Sequence, residues 1–179
     1  MIIVFDTETT GLTLHPDAPV NKQPRMIEFG AVLMDPRNGE IVEEASILIH
    51  PREEVTAEIT KITGITNDDL KDAAHFEDVL PQIRRIFSEA TCVMAHNLPF
   101  DKAILRGELA RANVLDFPWP RQELCTVGLY KDAWGRNPRL IELYEHVLGR
   151  PLAQTHRALD DVKAMCEIIT AEQLWQLAE

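Results

Sequence analysis

The sequence predicts a mixed α/β sheet flanked by helices, and three observations predict it. Short apolar runs at residues 2–5 and 91–95 are bounded by polar or turn residues, as buried strands are. Residues 26–34 and 41–49 read as two strands joined through Asn38-Gly39, a strong hairpin signal. Beyond that hairpin, helical stretches alternate with single strands, which is how layered α/β domains are built.

The elements follow in order. Ile2-Ile3-Val4-Phe5 is a strand because four apolar, mostly β-prone residues stand in a row. Thr9-Thr10-Gly11-Leu12 turns the chain. Residues 13–25 hold three prolines and one asparagine and read as a loop. Residues 59–67 form a short irregular or helical segment closed by Gly64. Phe76, Val79, Leu80, Ile83, Ile86 and Phe87 recur at helical spacing over 76–89. Pro99 stands where a first helical residue is favoured and opens a helix to about Ala112. Residues 123–127 complete five strands. Helices are expected over 139–148 and 157–177, the latter with a break. Its closing Gln173-Leu174-Trp175-Gln176-Leu177 reads as an apolar helix face, with a docking peptide as the alternative.

Bulk properties bound the function. A chain of 179 residues fits a single domain, 1–179, able to bury a core without disulfides. The three cysteines (Cys92, Cys125, Cys166) are scattered, so neither a disulfide framework nor a zinc site is expected. No apolar run reaches the roughly 20 residues that span a bilayer. Asp6 and Glu8 interrupt the opening run too early for a signal peptide. No membrane partner and a cytoplasmic location are therefore expected. The net charge of −11 argues against gripping long stretches of phosphate backbone. It leaves room for an enzyme that binds only a strand end, and carboxylates that hold cations add to the negative count.

Three segments bear acids at places where strands end. Asp6 and Glu8 are two residues apart, so on a strand they project to one side. Two adjacent buried carboxylates need a compensating cation, and a hard divalent ion with oxygen ligands is the natural one. Taken alone, the pair reads as easily as two solvated acids beyond the strand. In His96-Asn97-Leu98-Pro99-Phe100-Asp101, Asp101 falls in a first helical turn, where acids are common for the helix dipole alone. In His156-Arg157-Ala158-Leu159-Asp160-Asp161 a histidine and acids head the last helix, where a neutral imidazole is a usable base. Together, four carboxylates and one histidine are what two-metal phosphodiester cleavage needs.

With these three motifs, the chain resembles the DEDDh exonucleases, the group that includes the proofreading epsilon subunits of bacterial DNA polymerase III. The first motif is Phe5-Asp6-Thr7-Glu8-Thr9-Thr10-Gly11-Leu12, and the third matches H-x-A-x-x-D. The resemblance covers nearly the whole chain and implies a ribonuclease-H-like fold with a mixed five-stranded sheet. It implies that Asp6, Glu8 and Asp161 hold one metal, that Asp6 also touches a second, and that Asp101 supports the second. The H-x-A-x-x-D spacing selects Asp161 over Asp160. His156 is the implied general base; Arg157 occupies the position where a sister subgroup has tyrosine. Two Mg2+ ions are implied, with Mn2+ sharing the same preferences.

The resemblance also implies substrate contacts. Thr9, Thr10, Gly11 and Leu12 form the turn that holds the terminal nucleotide, with Leu12 wedged against the bases. Asn97 and Phe100 belong to the same pocket. Glu58 and Thr63 match a segment lying against that nucleotide, but Thr63 stands where the epsilon-like pattern has histidine, and Thr63-Gly64 reads equally as a turn. The implied activity is a 3′→5′ exonuclease releasing 5′-mononucleotides from a single-stranded or frayed end. The residues leave DNA and RNA both open. Hydrolysis of small oligonucleotides and a non-catalytic nucleic-acid or polymerase-binding module are the rival readings. A DNA polymerase is a candidate partner, though an enzyme acting alone or in trans is the expectation.

Overall fold

The computed structural model describes residues 1–179 except Pro16, Gln154 and Glu179. Strand β1 (Ile2–Thr9) pairs antiparallel with β2 (Met26–Met34), and β2 pairs antiparallel with β3 (Ile41–Leu48). Three helices follow: α1 (Ala57–Thr63), α2 (Asn67–Leu70) and α3 (Phe76–Ser88). Strand β4 (Cys92–Ala95) lies parallel to β1, helix α4 (Leu98–Arg111) follows, and β5 (Gln122–Cys125) lies parallel to β4. Helices α5 (Thr126–Trp134), α6 (Leu140–Leu148) and α7 (Ala158–Ala171) complete the chain, with a last 3-10 turn at Leu174–Leu177. The sheet order is β3-β2-β1-β4-β5. This is the mixed five-stranded α/β sheet expected from the sequence.

The central strand runs further than its apolar residues suggest. β1 continues through Asp6 and Glu8 to Thr9, so both acids lie on the sheet and not beyond it. Side-chain alternation then assigns faces. Ile2 and Val4 pack with Val32, Met34 and the buried stripe of α7, whereas Ile3 and Phe5 pack with Phe29, Leu33 and residues of α3 and α4. By the same alternation Asp6 and Glu8 face the α7 layer, and Thr7 faces the α4 layer.

Other differences are local. The segment expected to be a loop over 13–25 contains a 3-10 turn at Val20–Lys22. The fifth strand stops at Cys125 and helix α5 begins at the next residue. Thr126 and Val127 are β-prone, but Thr126 is buried and its hydroxyl meets the His96 ring, so tertiary contact overrides propensity. Short helix α2 was not expected from the sequence; it opens with a capping box in which the Thr66 and Asp69 side chains accept from each other's backbone N–H. Gly64 ends α1 at φ 72°, in the left-handed region where glycine is favoured. Leu174 and Trp175 pack on the α6–α7 core, and Trp175 lies against Gly39 of the hairpin, in keeping with an apolar final face. Among the described residues, no helix is long and apolar enough to cross a membrane.

Candidate active site

Asp6, Glu8 and Asp161 each place a carboxylate oxygen within 4.8 Å of the others. Two come from alternate positions of β1 and the third from α7. On α7 the buried stripe is Ala158, Asp161, Val162, Met165, Ile168 and Ile169, so Asp161 takes a core position facing β1. Asp160 points to solvent and accepts a hydrogen bond from the Thr155 hydroxyl at 2.6 Å. The structure thus brings Asp161, and not its neighbour, to the strand acids.

Asp101 arrives from the opposite layer. It is 2% exposed on the buried stripe of α4. Its Oδ1 accepts from the Thr7 backbone N–H at 3.0 Å and from the Thr7 hydroxyl at 2.8 Å. It therefore braces β1 between Asp6 and Glu8 and stands outside the group of three.

The electrostatics show strain that a cation would relieve. Burial, then repulsion from Asp101, Glu8 and Asp161, raises the Asp6 carboxyl well above its usual range. Burial and the charges of Asp161, Glu28 and Asp101 push Glu8 up to about 8, with Arg157 opposing. Burial pushes Asp101 up to about 7 against the two Thr7 hydrogen bonds. Oxygen donors that repel one another in a half-buried cluster fit a hard divalent cation.

These shifts give a pH prediction. A folded state that holds carboxyl protons more tightly than the unfolded chain loses stability as pH rises. The window runs from the ordinary carboxylate values of 4.5 and 3.8 up to about 8 and about 7. In EDTA, Tm should fall between about pH 5 and pH 8, and Mn2+ or Mg2+ should remove most of that fall. Thermal melts across that range check it; a metal-free Tm that rises toward pH 8 contradicts the shifts.

A cleft of about 640 Å³ opens beside the acids, lined by Asp6, Asn97, Arg139, His156 and Asp161 among others. His156 is exposed and adopts φ 53°, a left-handed conformation in which histidine is several-fold enriched. Asn97 is also exposed and left-handed at φ 66°, turning the chain from β4 into α4. Leu12 is 82% exposed. Its turn is held by Thr9 Oγ1, which donates to the Gly11 carbonyl at 2.7 Å, and by reciprocal bonds between Thr10 and Arg25. Phe100 packs partly buried against the core, and Glu58 is exposed in the first turn of α1. Thr63 is buried. Its hydroxyl donates to the Ile59 carbonyl at 3.0 Å and accepts from the Ile65 N–H at 3.1 Å. That is the turn-making role the sequence allowed.

Three residues of the site were missed in the sequence. Glu28 is the sole acid in the otherwise apolar β2, fully buried and bound to Arg157 and the Ala158 N–H. Glu108 shares the α4 stripe with Asp101, one heptad away, and binds the Met26 N–H at 3.0 Å and Arg111 at 3.0 Å. An acid at a core position was the available signal for both. His96 has no such signal. Its Nε2 donates to the Pro138 carbonyl at 3.0 Å, which leaves Nδ1 to accept from the Thr126 hydroxyl at 2.8 Å. Burial lowers its pKa, in keeping with this neutral tautomer. It fixes the wall of the cleft.

The exonuclease family RNase_T matches residues 3–169. The chain belongs to this family. It is 33% identical over 166 residues to a PolC-type DNA polymerase III of Thermotoga petrophila, covering 93% of this chain but only 11% of that protein. It is 31% identical over 169 residues to the DNA polymerase III subunit epsilon of Treponema pallidum, covering 93% of this chain and 73% of that protein. Among solved structures, the nuclease domain of 3′hExo, a DEDDh family member bound to rAMP, matches with a TM-score of 0.77 at 20% identity. That match covers 99% of this chain and 93% of that one. Exonuclease X in complex with 5′ overhanging duplex DNA matches with a TM-score of 0.65 at 25% identity over the full length of both chains. The ribonuclease-H-like exonuclease fold follows from these likenesses.

Proposed function

We propose that this exonuclease removes nucleotides one at a time from the 3′ end of a single-stranded or frayed strand, by metal-dependent hydrolysis. The observation that carries the reading is the convergence of Asp6, Glu8 and Asp161 in an exonuclease-family chain, with Asp6 and Asp161 lining one cleft together with His156. Asp6, Glu8 and Asp161 would hold the catalytic cation, with Asp6 shared and Asp101 supporting a second. Mg2+ is the expected ion, since its preference is for carboxylate and water oxygens, and Mn2+ shares it. When bound, such ions acidify the attacking water and stabilise charge on the leaving oxygen.

The chain's own groups supply the rest. His156, exposed at the cleft, takes the proton of the attacking water as general base. Water adds to the last phosphorus, the bond to the 3′ oxygen breaks, and a 5′-mononucleotide leaves. The turn Thr9–Leu12, with Asn97 and Phe100, holds the terminal nucleotide. The exposed Leu12 packs against its base, so a paired end must melt to enter, which favours mismatched termini. Glu58 stands toward the same nucleotide, and Thr63 shapes the turn behind it.

The polymerase III names of the curated relatives support a DNA end, a polymerase partner and a cytoplasmic location. The test is shortening of 5′-labelled single-stranded DNA and matched RNA with Mg2+, Mn2+ or EDTA. A metal-dependent ladder supports the reading, and the faster ladder names the sugar. Absence of shortening on both strands with both metals rejects it. The same assay checks the base: His156→Ala should slow turnover at least ~10²-fold. It should do so without loss of Mn2+ binding by calorimetry. Near-normal turnover removes His156 from that role.

A further inference from the structure

Glu28 is buried at 0% exposure on β2, directly across from Glu8 in the antiparallel register. Its carboxylate accepts from Arg157 Nη2 at 2.6 Å and Arg157 Nε at 3.0 Å. It also accepts from the Ala158 N–H at 3.0 Å and from Ser46 Oγ at 3.3 Å. Arg157 follows His156 directly, and Asp161 lies one turn into the helix that Ala158 begins. One side chain on the strand next to β1 thus grips the segment between the proposed base and the proposed ligand.

Docking of α7 does not require this pair. Val162, Met165, Ile168 and Ile169 already bury the helix against the sheet. Apolar burial, however, is non-directional and leaves the rotation and axial position of a first helical turn loosely determined. A forked guanidinium–carboxylate contact is directional and sets both. The Arg157 side chain is 43% exposed, and an ion pair with one partner open to solvent is a weak source of net stability, so orientation is the better account of this one.

We infer that the Glu28–Arg157 pair is a positioning strut that sets Asp161 and His156 against Asp6 and Glu8. The inference rests on the metal-site reading above. It predicts that loosening the strut weakens cation binding and turnover together while strand-end binding is untouched. Partners one layer behind metal ligands typically carry ~10–100-fold in affinity or activity.

The experiment measures Mn2+ affinity by calorimetry, and kcat and KM on single-stranded DNA, for Glu28→Gln and Arg157→Lys. Both keep the volume of the site, and Arg157→Lys keeps its charge while losing the fork. Each should weaken Mn2+ binding and lower kcat ~10–100-fold with KM unchanged. Tyr144→Phe is the control, since it removes a 2.7 Å bond to Glu167 elsewhere on α7. It should lose stability without changing Mn2+ affinity. Normal Mn2+ affinity in either strut variant, or the same loss in Tyr144→Phe, overturns the strut alone. A wild-type chain that binds no Mn2+ overturns the metal reading and the strut with it.

Discussion

Asp161→Asn should abolish strand shortening, and Asp160→Asn should leave most of it. The two residues are adjacent and chemically identical, so the contrast tests geometry alone. Asp161 sits on the buried stripe of α7 within 4.8 Å of the Asp6 and Glu8 oxygens, whereas Asp160 faces solvent with Thr155. The amide keeps the shape of the side chain and deletes one negative charge. Loss of cation stabilisation worth several kcal/mol should lower kcat by more than ~10³-fold, at 1.36 kcal/mol per tenfold. The same deletion removes one of the charges that push Glu8 up, so metal-free Tm at about pH 8 should not fall. Initial rates, calorimetry and melts on the two variants check all three points. A dead Asp160→Asn beside an active Asp161→Asn would mean that the wrong carboxylate has been assigned.

Gly30→Ala is the largest stability effect expected from a single methyl group. Gly30 lies across from Asp6 in the register, where the first turn of α7 crosses β2. A Cβ there would stand 2.4 Å from the Leu159 nitrogen and 2.5 Å from the Ala158 carbonyl carbon. Both are backbone atoms and cannot swing aside, so the helix start must lift from the sheet. Overpacking of this kind costs typically ~1–3 kcal/mol, or about 2–12 °C in Tm for a chain of this size. Because the displaced turn carries Asp161, kcat should fall even at temperatures where the variant is folded. A Tm within about 2 °C of wild type would show that α7 has room to move. The same contact explains why alanine is the residue at position 158: it is fully buried, with its Cβ 2.9 Å from where the new methyl would stand.

Much of this was legible in the residues. The hairpin signal at Asn38-Gly39 placed β2 and β3, the helical spacing of apolar residues placed α3, and Pro99 placed the start of α4, each nearly to its observed ends. The end of β1 was hidden, since Asp6 and Glu8 break the apolar run although the strand continues. Helix α5 was hidden because Thr126 and Val127 are strand-forming types placed in a helix by their neighbours. The three motifs supplied the acids and the histidine, and the H-x-A-x-x-D spacing chose Asp161.

By itself, then, the sequence determined the layered α/β class, the three acid-bearing motifs and the family they resemble. These are properties of local pattern and motif spacing, which are written along the chain. Only the tertiary structure decided that Asp6, Glu8 and Asp161 meet while Asp101 braces Thr7 from the opposite layer. It alone revealed Glu28 and Gly30 beneath α7, and Glu108 against Arg25 beside the Thr9–Leu12 turn. Those facts depend on sheet register and side-chain parity between strands far apart in sequence, and a slip of one residue would exchange the two faces.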